Sequence, residues 1–118
     1  MPGVRYGLSV TVETRLDKTY VIADGELDMS NVSVFIDALG TIDPEAQAGV
    51  VVEIRTLDFL GACGINSIVL TAARLAMRGC PLMISGASPM IRRSLIATGL
   101  ASLLTRPDVL SEPELRAS

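Results

Sequence analysis

The side chains best suited to nucleophilic or soft-metal chemistry are those of the two cysteines, Cys63 and Cys80. A catalytic cysteine needs a neighbouring base that activates its thiol, and the chain contains no histidine. Val69 stands six positions after Cys63, where a phosphatase-type loop would carry an arginine. Two cysteines outside any C-x-x-C motif are also too few for a zinc site. The sequence therefore predicts a protein without enzymatic activity that needs no cofactor and no metal.

Composition argues against two further classes of partner. The ten lysines and arginines are scattered along the chain, the formal net charge is −3, and aromatic residues make up 3%. A nucleic-acid-binding surface needs clustered basic residues and, for single strands, aromatic rings on which bases stack. The longest uncharged stretch, 59–73, is shorter than the ~20 apolar residues of a membrane span. Neither nucleic acid nor a membrane is expected as a partner, and the N-terminus shows no signal-peptide pattern, so a cytoplasmic location is predicted.

Alternating and continuous apolar patterns predict the strands. Leu8, Val10 and Val12 alternate with polar residues, and a second β-rich run follows a charged turn, so the two form a hairpin. Strands are predicted at 8–12, 19–23, 50–54 and 82–84, with a weaker edge strand at 103–104. The segment 24–28 is predicted to be a polar loop that leaves the second strand.

Apolar residues spaced three and four apart predict three helices. The first follows a cap at Ser30 or Asn31, the second follows Gly61, and the third opens at Ser88-Pro89. The predicted buried stripe of the second helix is Ile65, Ile68, Val69, Ala72, Leu75 and Ala76. The predicted solvent-facing stripe is Ser67, Thr71, Arg74 and Arg78, with Cys63 at its N-terminal end.

The order of these elements predicts the fold class. It is ββαβαβα, followed by the weaker strand and a short terminal helix at 111–117. Alternating strands and helices indicate an α/β fold in which a mixed β-sheet packs against helices, antiparallel at the hairpin and parallel at the crossovers. A chain of 118 residues suits a single domain over 1–118, with the tail after about residue 105 left unassigned.

At residues 57–65 a strand leads directly into the second helix, and the segment reads Leu-Asp-Phe-Leu-Gly-Ala-Cys-Gly-Ile. It resembles the STAS family, in particular the anti-sigma-factor antagonists, where the segment reads hydrophobic–x–Phe–hydrophobic–Asp–Ser–Ser–Gly–hydrophobic. The upstream Asp-Gly-Glu-Leu-Asp at 24–28 resembles a loop of the same family. Element order and length are similar over nearly the whole chain, so the resemblance implies a single STAS-like domain.

The resemblance implies regulation of transcription by partner switching. In the family, the unmodified antagonist binds a kinase-type anti-sigma factor of the histidine-kinase-like ATPase fold and thereby releases a sigma factor. Phosphorylation of the second serine of the motif breaks the complex. In this sequence Gly61 and Ala62 replace the Asp and the first Ser, and Cys63 occupies the phosphoacceptor position. A thiol is not an ordinary substrate of a serine kinase, so Cys63 is not expected to be phosphorylated.

The same resemblance predicts a partner-binding surface. Its expected residues are Asp28, Met29, Ser30, Asn31, Gly61, Ala62, Cys63, Gly64 and Ser67, with 85–88 as an extension. Three of them have a second reading. Asp28 could instead cap the first helix, Gly64 could serve turn geometry rather than close approach of a partner, and Cys63 could be an unreactive replacement for serine or a redox-sensitive contact.

A different class of function is also consistent with the sequence. The chain could be a non-catalytic STAS subunit of a structural, stress-signalling or lipid-transport assembly. The sequence names neither the sigma factor nor the anti-sigma factor, and it leaves open whether the chain forms a homodimer.

Overall fold

The computed structural model of the protein describes residues 7–105. These residues form five strands, three α-helices and one short 3-10 helix. The strands are β1 (Leu8–Arg15), β2 (Lys18–Leu27), β3 (Gly49–Glu53), β4 (Leu57–Leu60) and β5 (Leu82–Ser85). The helices are α1 (Val32–Gly40), α2 (Ala62–Ala76) and α3 (Pro89–Ala97), and the 3-10 helix spans Ala101–Leu103.

The strands form one mixed sheet with the order β1-β2-β3-β5. β1 and β2 are the antiparallel hairpin, while β2 with β3 and β3 with β5 pair in parallel. β4 also pairs in parallel with β2, beyond the end of β3. β3 and β4 therefore lie one after the other along β2, separated only by residues 54–56. This arrangement confirms the predicted α/β fold with a mixed sheet. The predicted element order has one strand between the first and second helices, where the structure has two, β3 and β4.

The prediction of a polar loop at 24–28 is wrong for its first four residues, because β2 continues to Leu27. The register shifts between Gly25 and Glu26, and Gly25 has a φ of +103°. The amide of Gly25 donates to the Thr56 carbonyl at 3.2 Å, and the amide of Glu26 donates to the Gly7 carbonyl at 2.9 Å. The polar sequence thus forms an irregular strand end, in which the glycine supplies a backbone conformation closed to other residues.

Side chains from all three helices pack into one apolar cluster with the inward-facing residues of the sheet. The helices contribute Phe35, Leu39, Ile68, Leu75, Ile91 and Leu95, and the sheet contributes Val21, Ala23, Val50, Val52, Leu82 and Ile84. Val50 and Val52 stand opposite Leu82 and Ile84 in the register of β3 and β5. Burial of this cluster is the main favourable contribution to folding.

The structure corrects the orientation predicted for α2. Ser67 and Thr71 are only 7% and 8% exposed, whereas Val69 is 37% exposed. The Ser67 hydroxyl donates to the Gly64 carbonyl at 2.8 Å, within its own helix. This hydrogen bond satisfies the hydroxyl, and therefore a small polar side chain can occupy a buried helix position at little cost. The prediction that Ser67 and Thr71 face solvent is wrong.

The predicted start of α3 is confirmed: Ser88 is its N-cap, and its side chain accepts a hydrogen bond from the Ile91 amide at 3.3 Å. The weak strand predicted at 103–104 is instead the end of the 3-10 helix and a single parallel bridge between Leu104 and Ile84. The predicted terminal helix at 111–117 lies outside the described residues. Within residues 7–105, no helix is long and apolar enough to cross a lipid bilayer.

Candidate functional site

A shallow depression lies where β2 and β4 end and α2 begins. It has a volume of about 420 Å³ and is lined by Asp28, Met29, Ser30, Phe59, Gly61, Ala62 and Cys63. β2 and β4 run parallel, so their carboxyl ends lie at the same edge of the sheet. Two segments that are distant in sequence, 28–30 and 59–63, therefore meet at one site.

The segment that follows β2 is held by hydrogen bonds of its own. Asp28 Oδ1 accepts from the Ser30 amide at 2.9 Å and from the Ser30 hydroxyl at 2.6 Å. Asn31 Oδ1 accepts from the Asp28 amide at 3.0 Å, and Asn31 Nδ2 donates to the Glu26 carbonyl at 2.9 Å. These bonds fix the backbone at one rim of the depression.

The predicted side-chain capping of α1 is not what the structure shows. Asn31 is the N-cap residue by position, yet its side chain makes no capping hydrogen bond. Its amide group is occupied by Asp28 and Glu26 on the other side. Asp28 likewise bonds to Ser30, in a turn typical of an Asx residue. Both side chains therefore shape the rim of the depression, and the alternative in which Asp28 caps the helix is wrong.

Two of the residues that line the depression are apolar and exposed. Met29 is 85% exposed, and Phe59 is 52% exposed. Phe59 was not among the predicted site residues, although it matches the phenylalanine of the resembled motif. The match to the motif could have identified Phe59 as a site residue. Its exposure could not be predicted from the sequence, because an aromatic residue within a strand is expected to be buried. Large apolar groups kept in water next to a concave surface are typical of a protein-binding site.

Two of the predicted contact residues lie below the surface. Gly64 is buried, and a Cβ at this position would lie 2.7 Å from side-chain atoms of both Leu27 and Leu60. The glycine thus allows α2 to approach the ends of β2 and β4, a contact inside the domain. Ser67 is buried one turn further along the helix. Gly64 and Ser67 consequently present no side chain at the depression, and the suggested approach of a partner to Gly64 is not supported.

The segment 85–88, the predicted extension of the site, is not among the residues that line the depression. Ser85 is only 2% exposed at the end of β5. Among residues 7–105, no group of three or more Cys, Asp and Glu side chains is arranged to hold a metal ion.

The two thiols have different surroundings. Cys63 is partly exposed in the first turn of α2, whereas Cys80 is buried after the end of this helix. Burial raises the pKa of the Cys80 thiol, and the positive charge of Arg74 partly offsets this effect. Both thiols are free, and α2 rises about 20 Å between Cys63 and its last residue, Ala76. This distance is far beyond the reach of a disulfide, which needs Cα atoms within about 7 Å.

We expect thiol reagents to distinguish the two cysteines. In the native protein a soluble aromatic disulfide reagent should modify Cys63, while Cys80 should react only after unfolding, because it is buried and its pKa is raised. Mass spectrometry of tryptic peptides after a brief exposure, with and without guanidinium, makes the measurement. Equal labelling of both peptides in the folded protein would contradict the placement of Cys80.

Residues 10–105 match the family model described as "Mlab, STAS domain". This match covers most of the 118 residues, and the chain therefore belongs to the STAS domain family. No curated protein matches the chain significantly by sequence.

Solved structures share the fold over nearly the full length of the chain. An anti-sigma factor antagonist from Mycobacterium paratuberculosis is 23% identical with a TM-score of 0.77, covering 93% of this chain and 92% of that chain. The anti-sigma factor antagonist SpoIIAA in its unphosphorylated form is 16% identical with a TM-score of 0.74, covering 92% and 93%. The Bacillus cell fate determinant SpoIIAA in the phosphorylated form is 18% identical with a TM-score of 0.72, covering 92% and 97%.

Proposed function

We propose that this protein is an anti-sigma-factor antagonist, which binds a kinase-type anti-sigma factor of the histidine-kinase-like ATPase fold and thereby releases a sigma factor. The observation that carries the proposal is the depression at the start of α2. It brings together the segment after β2 and the motif that resembles the phosphorylated segment of the antagonists, with Cys63 on its surface. The similarity of the whole fold to two antagonists supports the same reading.

Docking at this surface would draw its free energy mainly from apolar burial. Met29 and Phe59 line the depression and are exposed. Each Å² of their apolar surface that a partner covers contributes about 25 cal/mol to the binding free energy. Asp28 is the only ionisable side chain besides Cys63 among the lining residues. Its carboxylate favours a basic or hydrogen-bond-donating group of the partner at the rim of the contact.

Cys63 changes how such a complex could be regulated. In the resembled antagonists, a phosphate on the serine at this position places about −1.5 to −2 charges in the middle of the docking surface. Cys63 has no hydroxyl to accept it. Ser67, the next hydroxyl along the helix, is buried and hydrogen-bonded to Gly64, so it offers no substitute acceptor. The partner's kinase activity therefore does not switch this protein off at the helix position that the resembled antagonists use.

Direct binding tests this function. The full chain is mixed in turn with each purified kinase-type anti-sigma factor encoded in the same genome, alone and in complex with its sigma factor. We expect one of them to bind and to lose its sigma factor, as measured by calorimetry and size-exclusion chromatography. Incubation with that partner and ATP should add no phosphate to Cys63 or Ser67, whereas Cys63→Ser should accept phosphate.

Failure of every anti-sigma factor to bind would contradict the proposal. Recovery of transporter or scaffold subunits with the tagged chain from its own cells would then favour a non-catalytic STAS subunit of a structural, stress-signalling or lipid-transport assembly.

A further inference from the structure

The outward face of α2 is uncharged along the whole helix. At 100° per residue, eight positions fall within a sector of about 140°. They are Ala62, Cys63, Asn66, Val69, Leu70, Ala73, Ala76 and Met77, which we call the α2 stripe. Seven of these residues are exposed and Cys63 is partly exposed. The outward face of a surface helix normally carries charged and polar residues, so the α2 stripe has the composition of a covered surface.

The largest apolar groups of the stripe stand far from the depression. Leu70 is 63% exposed in the middle of the helix, and Met77 is 87% exposed just after its end. Asn66 is the one polar residue of the stripe. These exposures show that the apolar surface does not stop at the depression but continues down the helix.

Positive charge borders the stripe on one edge. Arg74 donates to the Leu39 carbonyl of α1 at 3.1 Å, and Arg78 forms an ion pair with Glu45. Arg74 therefore lies on the side of α2 that faces α1, and Arg78 lies next to the segment that follows α1. On the opposite edge, Ile65 and Ala72 are apolar and pack against the core. Because Glu45 neutralises Arg78, the positive charge left for a partner at this edge is that of Arg74, and a matching partner needs an acidic group there.

The stripe alone is too small to hold two copies of this chain together. The 15 residues of α2 span about 22 Å, and a helix is about 10–12 Å across. Two copies joined through this face alone would bury far less than the ~800 Å² per partner of a stable interface. The stripe meets the depression at Ala62 and Cys63, which belong to both. One partner that covers both surfaces gains the larger area.

We propose that the docking surface extends from the depression along α2 to Met77, and that the partner lays an amphipathic helix on the stripe. The face of that helix against the stripe is apolar, and its edge next to Arg74 carries an acidic residue. A straight stripe of this length suits a helix packed at about 8–10 Å between axes. The inference rests on the proposed function only for the identity of the partner.

Photo-crosslinking tests the extension without assuming who the partner is. A photoreactive phenylalanine analogue replaces Met29 in the depression or Met77 at the far end of the stripe, in full-length protein produced in its own cells. Ile96 on α3, which is 49% exposed, is the control position. We expect positions 29 and 77 to link to the same protein, and position 96 not to link to it. The segment linked to position 77 should be a helix with an acidic residue on one edge.

The outcomes separate this inference from the proposed function. A shared partner that is not an anti-sigma factor overturns the proposed function and leaves the extended surface in place. Links from position 77 only to a second copy of this chain, or links to the partner from position 29 alone, overturn the extension. Absence of links at both positions overturns the extension as well.

Affinity for the captured partner supplies a second measurement. Leu70→Glu and Met77→Glu should each weaken binding at least about 30-fold, since each buries a charge at the centre or end of an apolar contact. Ile96→Glu should change it by less than about threefold, as expected of a residue outside the contact. All three replace exposed residues by a good helix former, so the fold should persist. Equal affinities of the three variants would contradict the extension.

Discussion

Replacing Cys63 by aspartate should weaken binding of the anti-sigma factor at least about 100-fold, the loss expected when a charge enters the centre of a docking site. The carboxylate would lie in a depression lined mainly by apolar side chains, which already contains the carboxylate of Asp28. A partner that closes over the site must then strip water from two like charges at once. Calorimetric titration of the purified partner gives the affinity.

The fold itself should tolerate this substitution. Position 63 lies in the first turn of α2, which contains no acidic residue and whose N-cap, Gly61, has no side chain. A negative charge at this end of a helix is favourable by about 0.3–1 kcal/mol, and the melting temperature should therefore stay the same or rise. Ser94→Asp on the exposed surface of α3 adds the same charge elsewhere and should leave binding unchanged. Wild-type affinity in Cys63→Asp would place the docking surface elsewhere on the molecule.

Replacing Gly25 by alanine should destabilise the protein by about 2–4 kcal/mol. A Cβ at this position would lie 2.0 Å from the Gly7 carbonyl oxygen, which belongs to the backbone and cannot swing away. The φ of +103° adds strain for any residue with a side chain. Thermal unfolding followed by circular dichroism should show a melting temperature lower by at least about 10 °C.

Gly40 provides a matched control for that measurement. It ends α1, and a Cβ at this position would meet no atom within 4 Å. Gly40→Ala should therefore be neutral or stabilising by up to about 1 kcal/mol, because alanine restricts the unfolded chain. Equal stability of the two variants would mean that Gly25 does not occupy the strained position at the end of β2.

Much of the fold could be predicted because its signals are local. The alternation of Leu8, Val10 and Val12 predicted the first strand of the hairpin, and Ser88-Pro89 predicted the start of α3. One prediction failed because it depends on contacts between distant residues. The polar residues 24–28 do not indicate a strand, because the backbone hydrogen bonds that make them one are formed with Gly7 and Thr56. The rotation of α2 was missed because Ser67 is polar by type but bonds within its own helix.

The two segments of the candidate site could be predicted from the sequence, but the exposure of their side chains could not. The motif around Cys63 and the segment at Asp28 could be recognised from residue types, and the structure brings both to one depression. Exposure of Phe59 and burial of Gly64 follow from how tightly α2 packs on β2 and β4. Such packing depends on distances of a few ångströms, and no spacing along the chain encodes them.

The hydrogen bonds of the Asn31 side chain make the backbone of the rim independent of the side chain at position 29. Asn31 ties the Asp28 amide to the Glu26 carbonyl, and these hydrogen bonds hold the rim without using the side chain at position 29. Met29 lies almost wholly in water, so its replacement would alter recognition at little cost to folding. An engineered set of variants that differ only at position 29 would therefore change the contact surface on an unchanged scaffold.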